Sequence, residues 1–342
     1  MTPLRHVGAL DGLRGLAVGL VLAGHAKLIP GGGLGVDLFF ALSGFLITSL
    51  LVTEWSTTKQ IDLRAFYWRR AARLVPALLL MVAPFTLLLL ATGHTWVLIQ
   101  AAIGVAYVSN LVQAAAPQPE LFSHLWSLAE EEQFYLLWPL IFMWLLRRGT
   151  RPRVILGGLA ALALMSIAER AGLAAAGVSL HRLWFAPDTH GDAILFGCGA
   201  AIARSFGLFR FPSALTYASS IVIATVVSSF TLDDRPLYAG PMACFAIASA
   251  LGVVAIADNP ESLFARALRF RPLRGLGKVS YGVYLWHLPL FLITGPALGS
   301  FLALAIATAS YKYVEQPARH RLRARWQTRH AGVPIGAPAT AG

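Results

Sequence analysis

Apolar residues run along this chain in long continuous stretches, with no alternation that would suggest half-buried strands. Ala72–Ala91, Val154–Ile167, Ala218–Phe230 and Phe291–Ala309 carry almost no charge and approach the roughly 20 residues a helix needs to cross a bilayer core. The pattern predicts spans near 13–30, 34–53, 72–92, 97–115, 126–146, 154–169, 189–206, 213–231, 238–257, 279–295 and 298–314. The fold class expected is all-α, a polytopic transmembrane helical bundle.

The polar positions between these stretches set the topology. Basic residues gather at Arg69–Arg73, Arg147–Arg153, Arg266–Lys278 and Arg319–Arg329. Placing such clusters on the cytoplasmic side leaves both termini inside. The count closes only if 97–115 and 126–146 together make one net crossing. We therefore expect about ten crossings plus one re-entrant or interfacial segment, and a cavity within 97–135, because irregular backbone at membrane depth must be covered by protein or reached by water. A single domain over 1–330 is expected, followed by a disordered tail at 331–342. Leu13–Ala23 resembles the apolar core of a signal peptide, but the spans behind it favour a retained first helix.

Composition agrees. Of 342 residues, 57% are hydrophobic and only 13% charged, against about 25% charged in soluble domains; mean hydropathy is +0.65. The net charge of +12 would otherwise raise nucleic-acid binding. Its confinement to loops between spans turns that reading away and makes the lipid bilayer the expected partner. Cys198 and Cys244 both lie in apolar segments and suggest neither a disulfide framework nor a metal site.

Against this apolar background the ionisable residues stand out, and inside a bilayer such residues are functional candidates by default. Arg14 and His25 lie eleven residues apart in the first span, on nearly the same helix face and separated by roughly 16 Å along the axis. Gly31-Gly32-Gly33-Leu34-Gly35 precedes Asp37 without a phosphate-loop Lys-Ser/Thr, so a tight outer turn is expected. Asp37 is placed to orient the His25 imidazole or to cap the second span. Arg70 and Arg73, i and i+3, share a helix face and would offer guanidinium forks to phosphate oxygens, or serve only as topology anchors.

The densest polar signal is His124-Leu125-Trp126-Ser127-Leu128-Ala129-Glu130-Glu131-Glu132-Gln133-Phe134-Tyr135. Measured from Arg147, Glu131 falls about 24 Å along a helix, in the outer half of the membrane. Acids in a first helical turn are the plain alternative. Asp188, His190 and Asp192 open another span, and Tyr281, Tyr284 and His287 form one stripe that interfacial anchoring could also explain.

In order, these pieces resemble the acyltransferase-3 family of integral-membrane acyltransferases, over about Leu10 to Arg319. The matching pieces are Asp11-Gly12-Leu13-Arg14 with His25; Gly35-Val36-Asp37-Leu38-Phe39-Phe40 with Ser43-Gly44-Phe45; Arg70 and Arg73 with Leu74 and Pro76; Trp126-Ser127-Leu128 through Glu131 and Gln133-Phe134-Tyr135; Ser280-Tyr281 through Tyr284 and His287; and Glu315 with Pro317. The resemblance implies an acyl-coenzyme A donor, usually acetyl-CoA, taken from the cytoplasm, and a sugar-containing acceptor in or beyond the cell membrane. It implies His25 as the essential histidine, Glu131 as the recurring acid and Arg14, Arg70 and Arg73 as donor-site residues. Trp126, Ser127, Glu132, Gln133, Tyr135, Asp192, Tyr281, Tyr284 and His287 become acceptor or structural polar candidates. Two positions depart from the family pattern: Glu130 replaces an apolar residue, and His190 replaces an arginine ahead of Asp192.

The expected mechanism has coenzyme A phosphates on Arg14, Arg70 and Arg73 and its arm rising along the first span. His25, an imidazole of ordinary pKa near 6.5, would deprotonate the acceptor hydroxyl, with Asp37 or Glu131 steadying its charged form. Direct transfer and an acyl-histidine relay both stay open. The rival from another class is an ion-coupled transporter or flippase, which the absence of a visible inverted repeat disfavours.

Overall fold

The computed structural model of the protein describes residues 7–318; the basic cluster Arg319–Arg329 and the tail 331–342 lie outside the described residues. Helices account for the regular structure there, with no strand among the described residues. In chain order they are α1 (Gly8–His25), α2 (Gly35–Thr58), α3 (Leu63–Ala91), α4 (Val97–Val105), α5 (Ser109–Ala115), α6 (Leu125–Arg147), α7 (Pro152–Ala175) and α8 (Leu180–Phe185). There follow α9 (Pro187–His190), α10 (Asp192–Ser205), α11 (Ala214–Ser229), α12 (Arg235–Ala239), α13 (Pro241–Asp258), α14 (Leu263–Leu268), α15 (Arg271–Thr294) and α16 (Pro296–Ser310).

Local chemistry marks the starts. Pro152, Pro187, Pro241 and Pro296 each occupy the first helical turn, where the missing N–H has no intrahelical partner to lose. Asp62 caps α3 by accepting the Ala65 N–H at 2.8 Å. That cap begins the helix at Leu63, ahead of the span expected from residue 72. Arg69, Arg70 and Arg73 are therefore helical and do not form a loop.

Among the described residues, five stretches are long and apolar enough to cross a membrane: Gly32–Thr58, Leu63–Ala91, Pro152–Ala175, Pro241–Asp258 and Pro296–Ala318. Leu87, Ile99, Met165, Ile221 and Phe301 are exposed apolar side chains on the bundle surface, as lipid contact requires. The protein is a multi-pass membrane helical bundle. Helices α1, α6 and α15, outside those five, carry much of the ionisable chemistry.

The stretch 97–115 breaks. Tyr107 adopts a positive φ of 55°, and the two pieces contain 9 and 7 residues, about 14 and 10 Å against a core of about 30 Å. Of the two segments in question, α6 is the full-length one, with 23 residues. Gln133 of α6 repairs the break: its Nε2 donates to Tyr107 O at 2.9 Å and to Asn110 Oδ1 at 2.9 Å, while Asn110 Nδ2 donates back at 3.1 Å. Gln113 Nε2 donates to Ser123 O at 2.6 Å. These amides close the region where a cavity was expected; the hollow between Gln100, Gln113 and Ser123 is about 10 Å³, the lower limit for one water.

Two buried apolar clusters build the bundle. One joins residues of α1, α2, α7, α10 and α13, the other residues of α3, α6, α15 and α16. Helices α6 and α15 contribute to both, through Trp138 and Leu128, and through Val283 and Leu285. Helices α3 and α16 are shared likewise, through Phe66 and Ala77 and through Ala307 and Ala303, so the seam between the clusters runs among four helices, including those carrying Glu131 and His287. Small residues let backbones meet beside it. A β-carbon on Gly277 would lie 1.7 Å from Asp11 O, and one on Gly197 would lie 2.2 Å from Ala41 O. Close crossings of this kind supply van der Waals contact that lipid-solvated helices cannot obtain from water exclusion.

Candidate functional site

Helix α1 ends on His25, whose side chain is exposed. Its Nδ1 lies 2.9 Å from Val21 O; a carbonyl only accepts, so Nδ1 carries a proton. The His25 ring meets the His287 ring with centroids 4.9 Å apart, and His287 meets His124 at 5.4 Å. Both neighbours are buried and tied to carbonyls: His287 Nδ1 lies 2.6 Å from Tyr284 O, and His124 Nε2 lies 3.0 Å from Leu285 O. Three imidazoles from three chain segments thus share one corner.

Tyr284 closes that corner from α15. Its hydroxyl lies 2.5 Å from Ser127 Oγ and donates to His124 O at 2.7 Å. Tyr281, one turn below, donates to Leu74 O at 2.9 Å and ties α15 to α3. The stripe of Tyr281, Tyr284 and His287 faces the bundle interior, so lipid-interface anchoring does not describe it.

A second group lies deeper. Ser43 Oγ donates to Glu131 Oε1 at 2.5 Å, and Glu131 is within electrostatic reach of Arg70 and Arg14. Arg70 binds Glu132 through Nε at 3.0 Å and Nη2 at 3.0 Å, and its guanidinium stacks over Tyr135, 3.1 Å from the ring centroid. Arg14 lies 3.9 Å from Asp11. Arg73 is half-buried one turn along α3 from Arg70.

A third group is sealed. Asp37 Oδ1 contacts His190 Nε2 at 3.0 Å, with both side chains fully buried. His190 Nδ1 lies 2.5 Å from Trp184 O, so both ring nitrogens face acceptors and the His190–Asp37 pair holds two protons between them. Trp126 covers the ring, centroids 5.1 Å apart. Arg170 reaches Asp192 through two parallel hydrogen bonds at 2.8 and 2.9 Å and donates to Thr189 O at 2.7 Å. Glu130 sits beside this cluster, 3% exposed, with neither carboxylate oxygen hydrogen-bonded.

The geometry corrects two sequence expectations. Asp37 neither orients His25 nor caps α2: the capping position is Leu34, and the carboxylate is committed to His190. Val21 O performs the orienting instead, because the last turn of α1 puts it in reach of the imidazole. Asp192 pairs with Arg170 of α7, a residue not singled out from the sequence and lying just past the span expected at 154–169. Its signal was an arginine following a long apolar run. His124 was also missed as a site residue; only the return of α15 brings His287 against it.

Among the described residues no group of three or more His, Cys, Asp or Glu is arranged to hold a metal ion. The described residues do include an exposed histidine, a carboxylate braced by Ser43, and two arginines, Arg70 and Arg14, within electrostatic reach of that carboxylate. That set suits proton transfer from a hydroxyl and the holding of an anionic ligand.

A family profile described as an acyltransferase domain matches residues 7–314. The chain is 33% identical over 354 residues to the peptidoglycan O-acetyltransferase OatA of Listeria monocytogenes, covering 92% of this chain and 56% of that protein. It is 34% identical over 352 residues to the O-acetyltransferase OatA of Staphylococcus aureus, covering 93% and 58%. A putative peptidoglycan O-acetyltransferase of Bacillus subtilis, YrhL, is 31% identical, with 92% and 55% covered. The chain therefore spans a little over half the length of these relatives. No solved structure matches.

Proposed function

Because the chain belongs to the acyltransferase-3 family, we propose that it moves an acetyl group from cytoplasmic acetyl-coenzyme A to a hydroxyl of a cell-surface sugar polymer, peptidoglycan first among them. The observation that carries this reading is His25: exposed at the end of α1, with its Nδ1 proton engaged by Val21 O. In its neutral form an imidazole so held carries its lone pair on Nε2, which is what a general base needs. The similarity to proteins named as peptidoglycan O-acetyltransferases supports the choice of acceptor.

In this mechanism the acceptor hydroxyl arrives from the outer side and gives its proton to His25 Nε2 as its oxygen attacks the thioester carbonyl. The carbon–sulfur bond then breaks. The departing thiolate takes the proton from His25, leaving an ester and free coenzyme A. Arg14 and Arg73 would meet the donor's phosphates, and its flexible arm would run beside Ser43 and Glu131 towards His25. Arg70 has Glu132 as counter-ion and Tyr135 as a platform, so its role in donor binding would be to shape the channel as much as to neutralise charge. Ten crossings with the basic loops inside, and with α4 and α5 as the outer non-spanning segment, would deliver donor and acceptor from opposite sides.

The experiment is reconstitution in liposomes loaded with acetyl-coenzyme A, with an N-acetylglucosamine oligomer outside. Free thiol should appear only when the oligomer is present, and the oligomer should gain ester-linked acetyl. Movement of the oligomer across the membrane without thioester consumption would overturn the proposal in favour of a transporter.

A further inference from the structure

The catalytic reading leaves one polar atom unexplained beside His25. His287 is fully buried, and its Nε2 has no hydrogen-bond partner. A buried acceptor left unpaired is unfavourable by about 1–3 kcal/mol. The ring's orientation is not free to relieve this, because Nδ1–H is held by Tyr284 O at 2.6 Å. The unpaired lone pair is therefore built in. Sealed from solvent, that nitrogen is not placed to meet a substrate arriving from outside. Its ring is in contact with His25, at 4.9 Å, and with His124, at 5.4 Å.

His124 offers no proton to it. The proton of His124 lies on Nε2, directed at Leu285 O, and its Nδ1 is itself unpartnered. The titratable groups around His287 are His25 from α1, His124 ahead of α6 and Tyr284 on its own helix. Tyr284 is occupied with Ser127 and His124 O, and Glu131 acts on Tyr284 from α6. Asp37, the carboxylate a base–acid pair would use, is bound to His190.

We infer that His287 is a positioning residue for His25: its carbonyl-locked, unpaired Nε2 steadies the positive charge that His25 acquires on taking the acceptor's proton. This inference rests on the acyl-transfer reading above. It gives a neutral imidazole the part that a carboxylate plays in a base–acid dyad. To act as the base, His25 must enter the step neutral. During transfer the charge on His25 lies against a ring whose orientation Tyr284 O fixes in advance. The proton itself does not leave His25 until the thiolate departs, so no further acid or base is needed.

The test compares His287→Asn with His287→Gln in the reconstituted membrane assay, following rate against pH with acetyl-coenzyme A and the N-acetylglucosamine oligomer. Asparagine keeps a donor for Tyr284 O but lacks an acceptor at the Nε2 position; glutamine restores an acceptor at about that reach. The acidic limb of the rate profile should move to lower pH by about one unit in His287→Asn, with a rate loss of about tenfold at the optimum. In His287→Gln it should stay within a few tenths of the native limb, with part of the rate restored. Equal rate losses in both variants with the native limb unchanged would overturn the inference, leaving a packing role. If His287→Asn does not fold, His287→Leu takes its place; failure of both to fold also overturns it. Absence of transfer in the native protein would instead remove the acyl-transfer reading.

Discussion

Arg170 and Asp192 face each other across α7 and α10 through two parallel hydrogen bonds at 2.8 and 2.9 Å, with both side chains fully buried. The pair stands next to His190 and Asp37, so two bases and two acids interlock beneath Trp126. Removing one member leaves a buried charge uncompensated, whereas removing both can be nearly neutral. Arg170→Met should thus destabilise the bundle by about 3–5 kcal/mol, and the double variant Arg170→Met with Asp192→Leu should regain most of it. Thermal unfolding of the detergent-purified protein measures both; equal stability of the single and double variants would show that the pair is not coupled.

Arg70 separates structural from donor-binding roles by the same logic. Arg70→Ala strands Glu132, and melting should occur at lower temperature. Adding Glu132→Ala should restore stability but not donor affinity, if the arginine also helps to hold coenzyme A. Full recovery of donor affinity in the double variant, measured by equilibrium binding of acetyl-coenzyme A, would return Arg70 to a purely architectural role.

His25→Ala should abolish transfer while leaving the fold unchanged, because the side chain is exposed and its hydrogen bond lies within its own helix turn. General-base removal lowers rates by roughly 10²–10⁴-fold. Acceptor-dependent thiol release near the native rate would remove His25 from the mechanism.

Glu130 predicts a gain. The cluster of Arg170, His190, Asp37 and Asp192 already pairs two bases with two acids, and Glu130 adds a carboxyl without a hydrogen bond. Glu130→Leu should stabilise the protein by about 1–3 kcal/mol, seen as a melting temperature higher by several degrees. A fall in melting temperature would mean that the carboxyl is held by the cluster after all.

The residues differ in how much of their role was legible beforehand. Arg14 and His25 were readable as a pair because both sit on one helix, where eleven residues define an angle and a rise. That one of 97–115 and 126–146 does not span was an expectation from charge, since basic loops on one side of the membrane allow only an even accounting of crossings. The break of 97–115 at Tyr107, bridged by the amide of Gln133, was not legible, because both stretches are apolar. The partner of Asp37 was equally hidden. Distance along the chain gives no hint that a carboxylate at the top of α2 meets His190, 153 residues later.

By itself the sequence determined the membrane-embedded helical class and the family, and it singled out His25, Asp37 and Glu131 as candidates for the chemistry. Those follow from composition, helical periodicity and ordered motifs, all local properties of the chain. The tertiary structure alone decided who touches whom: Val21 O and His287 on His25, Ser43 on Glu131, Glu132 on Arg70, Arg170 on Asp192. The reason is physical. A buried polar group must be satisfied by whatever folding brings within about 3 Å, and in a bundle those partners come from other helices, whose packing depends on small residues such as Gly197 and Gly277 and not on any motif.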